Sequence, residues 1–145
     1  MTKNFTLEEL THSITAQNRG IDNTPPVMAV ASLRALAVSV LQPARDYLKK
    51  PITVSSGFRC EKLNKLLGGA KHSQHKNGEA ADLVCKNNSA LFHYILKNCE
   101  FDQLIWEFGN DDQPGWVHVS HTLSANRGEV LKAVKRGKKT VYELF

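Results

Sequence analysis

The sequence predicts an α+β fold, on three observations. Apolar residues recur mostly at three- and four-residue steps between about Pro26 and Leu48, as on a helix that buries one face. Short β-branched or alternating segments follow it, among them "PITVSSGF", "AADLVC", "FDQLIWEFG" and "GWVHVSHTL", which read as strands. The last two are joined by "NDDQP", a run of turn formers, so they read as a hairpin. Helices lead and strands follow, which predicts a small, mainly antiparallel sheet backed by helices. A chain of 145 residues has room for one core and is expected to be one domain, residues 1–145.

The elements follow in order. "TLEE" at Thr6–Glu9 fits a capping box and starts a short first helix. "NRGIDNTPP" is a loop. Asn23 or Thr24 is expected to cap the long helix, with a proline in its first turn. Val30, Leu33, Ala37, Val40, Leu41, Ala44 and Leu48 form its apolar face, and Pro43 is expected to kink it. "PITVSSGF" is a strand beginning after Pro51. "CEKLNKLLGG" is a short helix ended by glycine. "NSALFHYILKN" is a helix capped by Asn88 or Ser89, with Leu91, Ile95 and Leu96 facing inward. The end, "EVLKAVKRGKKTVYEL", fits either a basic helix or two strands around a "KRGKK" turn.

Composition narrows the partners. Net charge is +5 with a pI near 9.2, and the excess gathers late, in Arg127, Lys132, Lys135, Arg136, Lys138 and Lys139. That charge favours a polyanion: nucleic acid, an acidic membrane surface or an anionic cell-wall polymer. A solvated basic surface is the plainer reading. The cysteines, Cys60, Cys85 and Cys99, are odd in number and lack CxxC spacing, which argues against a disulfide framework or a cysteine zinc site. No apolar run approaches the ~20 residues of a membrane span. The N-terminus lacks a basic region followed by an apolar one, so no Sec signal peptide is expected. The protein is expected to be made in a cytoplasm and to act outside only after release.

The chemistry gathers in "GGAKHSQHKNGEAADLV", Gly68–Val84. A catalytic zinc site takes three protein ligands and leaves a fourth position open. His75 lies in a polar, glycine-bearing loop. Asp82 lies in an apolar strand, where an unpaired carboxylate is costly; a metal or an arginine would each be a good partner. A third ligand must come from elsewhere, and "WVHVS" offers His118. That strand alternates Trp116, His118 and Ser120 against Val117 and Val119, so the histidine shares the polar side. On residue type alone, an ordinary strand histidine and an ion-paired aspartate remain open alternatives.

Three stretches together, "SSGFRCEKLN", "SQHKNGEAADL" and "WVHVS", resemble the zinc D-alanyl-D-alanine carboxypeptidase family. That family includes related peptidoglycan endopeptidases, phage endolysins among them, and the likeness is to its small single-domain members. Ser73, His75, Gly78, Ala80 and Asp82 fall on an S-x-H-x-x-G-x-A-x-D motif, and Trp116 and His118 on W-x-H. The resemblance implies the Hedgehog/DD-peptidase fold, one zinc ion held by His75, Asp82 and His118, and a substrate in the peptides of peptidoglycan. It implies that Arg59 meets the substrate carbonyl or carboxylate, where a guanidinium suits an oxyanion. Ser73 and Trp116 become substrate-binding candidates; for Ser73, a turn hydroxyl bonding its own loop is the equal alternative.

One departure stands out. Many relatives carry an acid three residues before the last histidine ligand, where this chain has Gly115. Glu107, on the partner strand of the hairpin, is the replacement expected from antiparallel pairing, with Asp112 in reserve and Glu79 behind it. His72 and His121 are expected to stay off the metal, His121 because three residues along a strand reverses the face. The expected activity is zinc-dependent hydrolysis of peptide bonds next to D-amino acids in murein, as a monomeric phage-type endolysin. A non-catalytic wall-binding module that keeps the fold and metal is the alternative. A nucleic-acid binder using the basic C-terminal segment is a third reading, and it leaves the His75–Asp82–His118 set without a use.

Overall fold

A computed structural model describes residues 1–145. The alternating segments become one six-stranded sheet: β1 (Ile52–Ser56), β2 (Ala80–Cys85), β3 (Gln103–Glu107), β4 (Trp116–Ser120), β5 (Glu129–Arg136) and β6 (Lys139–Leu144). Their order is β1-β2-β4-β3-β5-β6. Every pairing is antiparallel except β3 with β5, which is parallel. The basic C-terminal segment therefore resolves into two strands, and the helical option falls. Its turn is Gly137–Lys138, with Gly137 at φ +64°, the conformation a two-residue hairpin loop requires.

Two short helices precede the sheet where one was expected: α1 (Leu7–Thr11) and α2 (Ile14–Arg19). Thr6 and Glu9 form the expected capping box on α1. Ser13 caps α2 through its hydroxyl, and Gly20 ends it in the left-handed region. The long helix α3 spans Val27–Leu48. Neither Asn23 nor Thr24 caps it; Pro26 takes that place, without a side-chain cap. Thr24 is occupied with Asp22 Oδ1. Asn23 instead ties two distant stretches of backbone together: its Nδ2 donates to the carbonyls of Thr11 and Phe58, and its Oδ1 accepts from Cys60 N.

Pro43 does not kink α3 in the simple way expected. The turn before it, Ala37–Leu41, is π-helical, and Gln42 N–H donates to Ala37 O five residues back. The wider turn accommodates the proline ring and its missing donor. By length and composition α3 is apolar enough to cross a membrane, contrary to the sequence expectation, but its apolar side lies against the sheet.

Two further helices complete the fold. α4 (Glu61–Leu66) is capped by the Cys60 sulfur, and α5 (Asn88–Asn98) by Asn87, one residue before the expected cap. Leu33, Leu36, Val40 and Leu41 of α3 and Leu91, Phe92 and Ile95 of α5 pack on Ala81, Leu83, Leu104, Trp106, Val117 and Val119 of the sheet. Leu96 only borders this core, and Phe92, absent from the expected face, lies at its centre. The core covers one side of the sheet. The strand residues between those core positions all point to the other side, and the site is built there.

Candidate metal centre

The register of three strands sets the site. Asp82 of β2 lies directly opposite His118 of β4, which lies directly opposite Ile105 of β3. Directly opposed residues share a face, so the aspartate and histidine are side by side without any loop rearrangement. His75 comes from outside the sheet, on a single 3₁₀ turn, Gln74–Asn77. Two glycines bring that turn into place. Gly78 ends it at φ +71°, and a Cβ there would stand 2.4 Å from Ala29 O of α3; only glycine fits both constraints. Gly57 passes so close to α1 that a Cβ would lie 2.2 Å from Leu10 O.

Gly57 also fixes the ring of His75. Its carbonyl lies 2.8 Å from His75 Nδ1. A carbonyl only accepts, so Nδ1 carries the proton and Nε2 presents a lone pair. Burial holds this imidazole neutral, its pKa pushed below the ordinary value despite the hydrogen bond and charge of Asp82. Nε2 then faces Asp82 Oδ2 at 3.5 Å. The second carboxylate oxygen meets His118 Nδ1 at 3.0 Å. Burial opposes the charge on Asp82, yet the hydrogen bond from His118 and the close approach of the His75 ring hold its carboxyl well below the usual carboxylate range.

A lone pair facing a carboxylate oxygen needs a cation between them. Ligand atoms around a tetrahedral ion at 2.0–2.1 Å lie about 3.3 Å apart, which these separations approach. The ligand atoms of His75, Asp82 and His118 all fall within 4.8 Å of one another. Two imidazoles and one carboxylate, with the remaining side open to a cleft, suit a catalytic zinc-type ion. The three ligands expected from the sequence are thus brought together, and His72 and His121 stay outside the group.

Arg59 follows β1 and reaches the same carboxylate oxygen that His75 faces. Its Nη2 donates to Asp82 Oδ2 at 3.2 Å and its Nε donates to Ser56 Oγ at 2.8 Å. Ser56, which the sequence reading passed over, is therefore the serine that holds the arginine. The hydroxyl of Ser73 accepts from His75 N, so it shapes the turn while also lining the cleft.

The cleft has a volume of about 750 Å³, and Glu107, Trp116 and Arg59 all line it. Glu107 stands opposite Trp116 in the register, two positions along from the pair that holds His118; it is a diagonal neighbour of the histidine on the same face. It is 7% exposed. Burial, with Asp82 adding to it against the pull of His118, pushes its carboxyl up to about 7. The reserve acids do not reach the site: Asp112 is exposed on the β3–β4 loop, and Glu79 accepts from Gln74 and Asn77, neither acid lining the cleft.

Two residues that shape the cleft, one beneath its wall and one on it, are not among the candidates read from the sequence. Asp102, 4% exposed, accepts from Arg127 N, Nε and Nη2 and from Gln74 Nε2, so it ties the entrance of β3 to the turn that carries His75. An acid inside "CEFDQLIW" was the available signal. Tyr142 of β6 stands opposite Ala133, itself the neighbour of Glu107. Burial, then the carboxylates of Glu107 and Asp82, raise its phenol above the ordinary value.

Comparison with known proteins agrees with this geometry. A family model described as peptidase M15 matches residues 3–120. Over 80 residues the chain is 35% identical to the zinc D-Ala-D-Ala carboxypeptidase of Streptomyces albus G. That stretch is 55% of this chain and 31% of the relative, so the match spans about a third of the relative's length.

Proposed function

Since the chain belongs to the peptidase M15 family, we propose that it is a zinc-dependent peptidase that hydrolyses bonds next to D-amino acids in the stem peptides or cross-links of peptidoglycan. The observation that carries this reading is the pairing of a two-histidine, one-aspartate ligand set with a buried carboxylate on the same sheet face, Glu107. A module that only bound the wall would have no use for the second.

His75, Asp82 and His118 would hold the ion. Bound zinc supplies Lewis-acid activation of water and of the scissile carbonyl. Glu107 accepts the proton of the attacking water and then delivers it to the leaving amine. Burial raises its carboxyl, which favours uptake of the proton by this side chain. The Arg59 guanidinium, braced by Ser56, stabilises the charge that develops on the carbonyl oxygen. Trp116 offers an apolar wall beside Glu107. The net charge of +5 favours encounter with an anionic wall. The biological setting that fits is a phage-type endolysin, a monomer made in the host cytoplasm and acting on the wall after release.

The test is digestion of purified murein with mass spectrometry of the products, with and without a chelator. Chelator-sensitive release of peptide fragments is expected. Glu107→Gln should cut about 10²–10⁴-fold slower while retaining one equivalent of zinc. Wild-type protein that binds murein and zinc but releases nothing would instead establish the wall-binding module.

A further inference from the structure

The β5–β6 hairpin lies beyond residues 3–120 matched by the family, yet it forms one wall of the cleft through Leu131, Lys135, Thr140 and Tyr142. Its register explains why. Ala133 lies beside Glu107, so Leu131 and Lys135, two residues either way, point to the same side.

Three lysine or arginine side chains line the cleft: Arg59, Arg127 and Lys135. Arg59 is paired with Asp82 and Arg127 with Asp102. Lys135 has no carboxylate partner. Its Nζ donates to Thr140 Oγ1 at 3.0 Å and sits 5.4 Å above the centre of the Phe108 ring. An ammonium held by a hydroxyl and an aromatic face keeps donor capacity to spare.

The Phe108 ring is there at a cost. Phe108 follows Glu107, and a continuing strand would turn it to the opposite, core side. Instead its φ is +55°, a left-handed conformation that bulky residues rarely adopt. The backbone is held by Phe108 N–H donating to Ala133 O and Gly115 N–H donating to Glu107 O. This reversal puts Phe108 on the cleft side with Trp116, their rings 5.3 Å apart. A strained residue that floors a cleft and seats an unpaired cation points to a ligand.

We propose that Lys135 is a specificity residue that takes a carboxylate on the leaving fragment of a peptide substrate. The inference rests on the peptidase reading and deepens it. Glu107 delivers its proton to the leaving amine, so the leaving fragment lies on the β3 side and runs over Phe108 toward β5. Lys135 is two strands across from His118, about 10 Å at the usual strand spacing, and four positions along β5 from Leu131, which is level with His118, about 13 Å more. The backbones are then about 16 Å apart, and the lysine side chain, which lies over Phe108, spans about 6 Å of that, leaving the length of about three extended residues. The favoured substrate is therefore a peptide that continues for two or three residues past the bond cut and carries a free carboxylate there. Release of a single terminal residue would leave Lys135 without a ligand.

The experiment uses synthetic stem peptides with one, two or three residues after the bond that mass spectrometry shows to be cut. Each is prepared as the free acid and as the carboxamide. Wild type should favour the acid over the amide by about three- to tenfold in kcat/KM, through KM, and only for the longer peptides. Lys135→Met should bring that ratio to about one, and Lys135→Glu should invert it. Melting curves and zinc content of both variants confirm that they are folded and loaded. A wild-type ratio of one on every peptide, or an unchanged ratio in Lys135→Met, overturns this inference alone. Wild type that cuts none of the peptides and no murein overturns the peptidase reading, and this inference with it.

Discussion

The two faces of the sheet are made from the same strands and do opposite things. On β2 and β4, Ala81, Leu83, Val117 and Val119 are buried under helices, while Asp82 and His118 between them face the cleft. On β3, Leu104 and Trp106 alternate with Ile105 and Glu107 in the same way. The contrast teaches how the site is held rigid. Each polar group sits between residues locked in the core, so the packing of one face sets the geometry of the other.

The largest expected effect breaks the polar face alone. His118→Ala should abolish stoichiometric zinc binding and peptide release, measured by metal analysis after dialysis and by murein digestion, while leaving the fold intact by circular dichroism. It should also erase the stabilisation of about 2.7 kcal/mol that zinc at a hundred times its Kd confers on a protein that binds it only when folded. Leu104→Ala, one residue from the polar face, should do the converse. It should cost about 2–5 kcal/mol in denaturant unfolding and keep one equivalent of zinc.

A smaller effect sharpens the comparison by pH. Glu107 has its carboxyl raised from 4.5 to about 7. Folded protein therefore keeps a proton that the unfolded chain gives up, and stability falls as pH rises between those values, by up to about 1.4 kcal/mol per pH unit. In chelator-treated protein, Glu107→Gln should be more stable than wild type at pH 8, and the gap should close as pH approaches 4.5. Equal stability at both pH values would show that burial does not bear on this carboxyl. The smallest effect is expected at Phe108→Gly. Relief of about 1 kcal/mol of left-handed strain should nearly offset the lost contact with Trp116, leaving unfolding free energy changed by less than about 1 kcal/mol.

The metal ligands were legible in the sequence because their constraints are local. His75 and Asp82 sit seven residues apart around a glycine, and His118 is placed by simple alternation. Glu107 was legible through hairpin pairing, though the register sets it diagonal to His118 and opposite Trp116. What could not be read depends on groups far apart in the chain. Asn23 bridges Thr11, Phe58 and Cys60, Asp102 joins Gln74 to Arg127, and Gly57 is required by Leu10. The C-terminal segment was ambiguous because its lysines fit an exposed helix or an edge hairpin equally well. Parallel pairing of β5 with β3 decided it.

The π turn in α3 has a consequence for chain length. It amounts to one extra residue, and one residue is about 100° of helical rotation. The wide turn absorbs that residue locally, so Leu33 and Leu36 before it and Ala44 after it all meet the core. Losing a single residue between Ala37 and Leu41 would restore a regular helix with Ala44 still on the sheet, but it would leave Pro43 in an ordinary α-turn, where its ring meets the carbonyl four residues back. A helix that lines none of the cleft thus stays seated under the site only with the residue count that lets its wide turn take in Pro43.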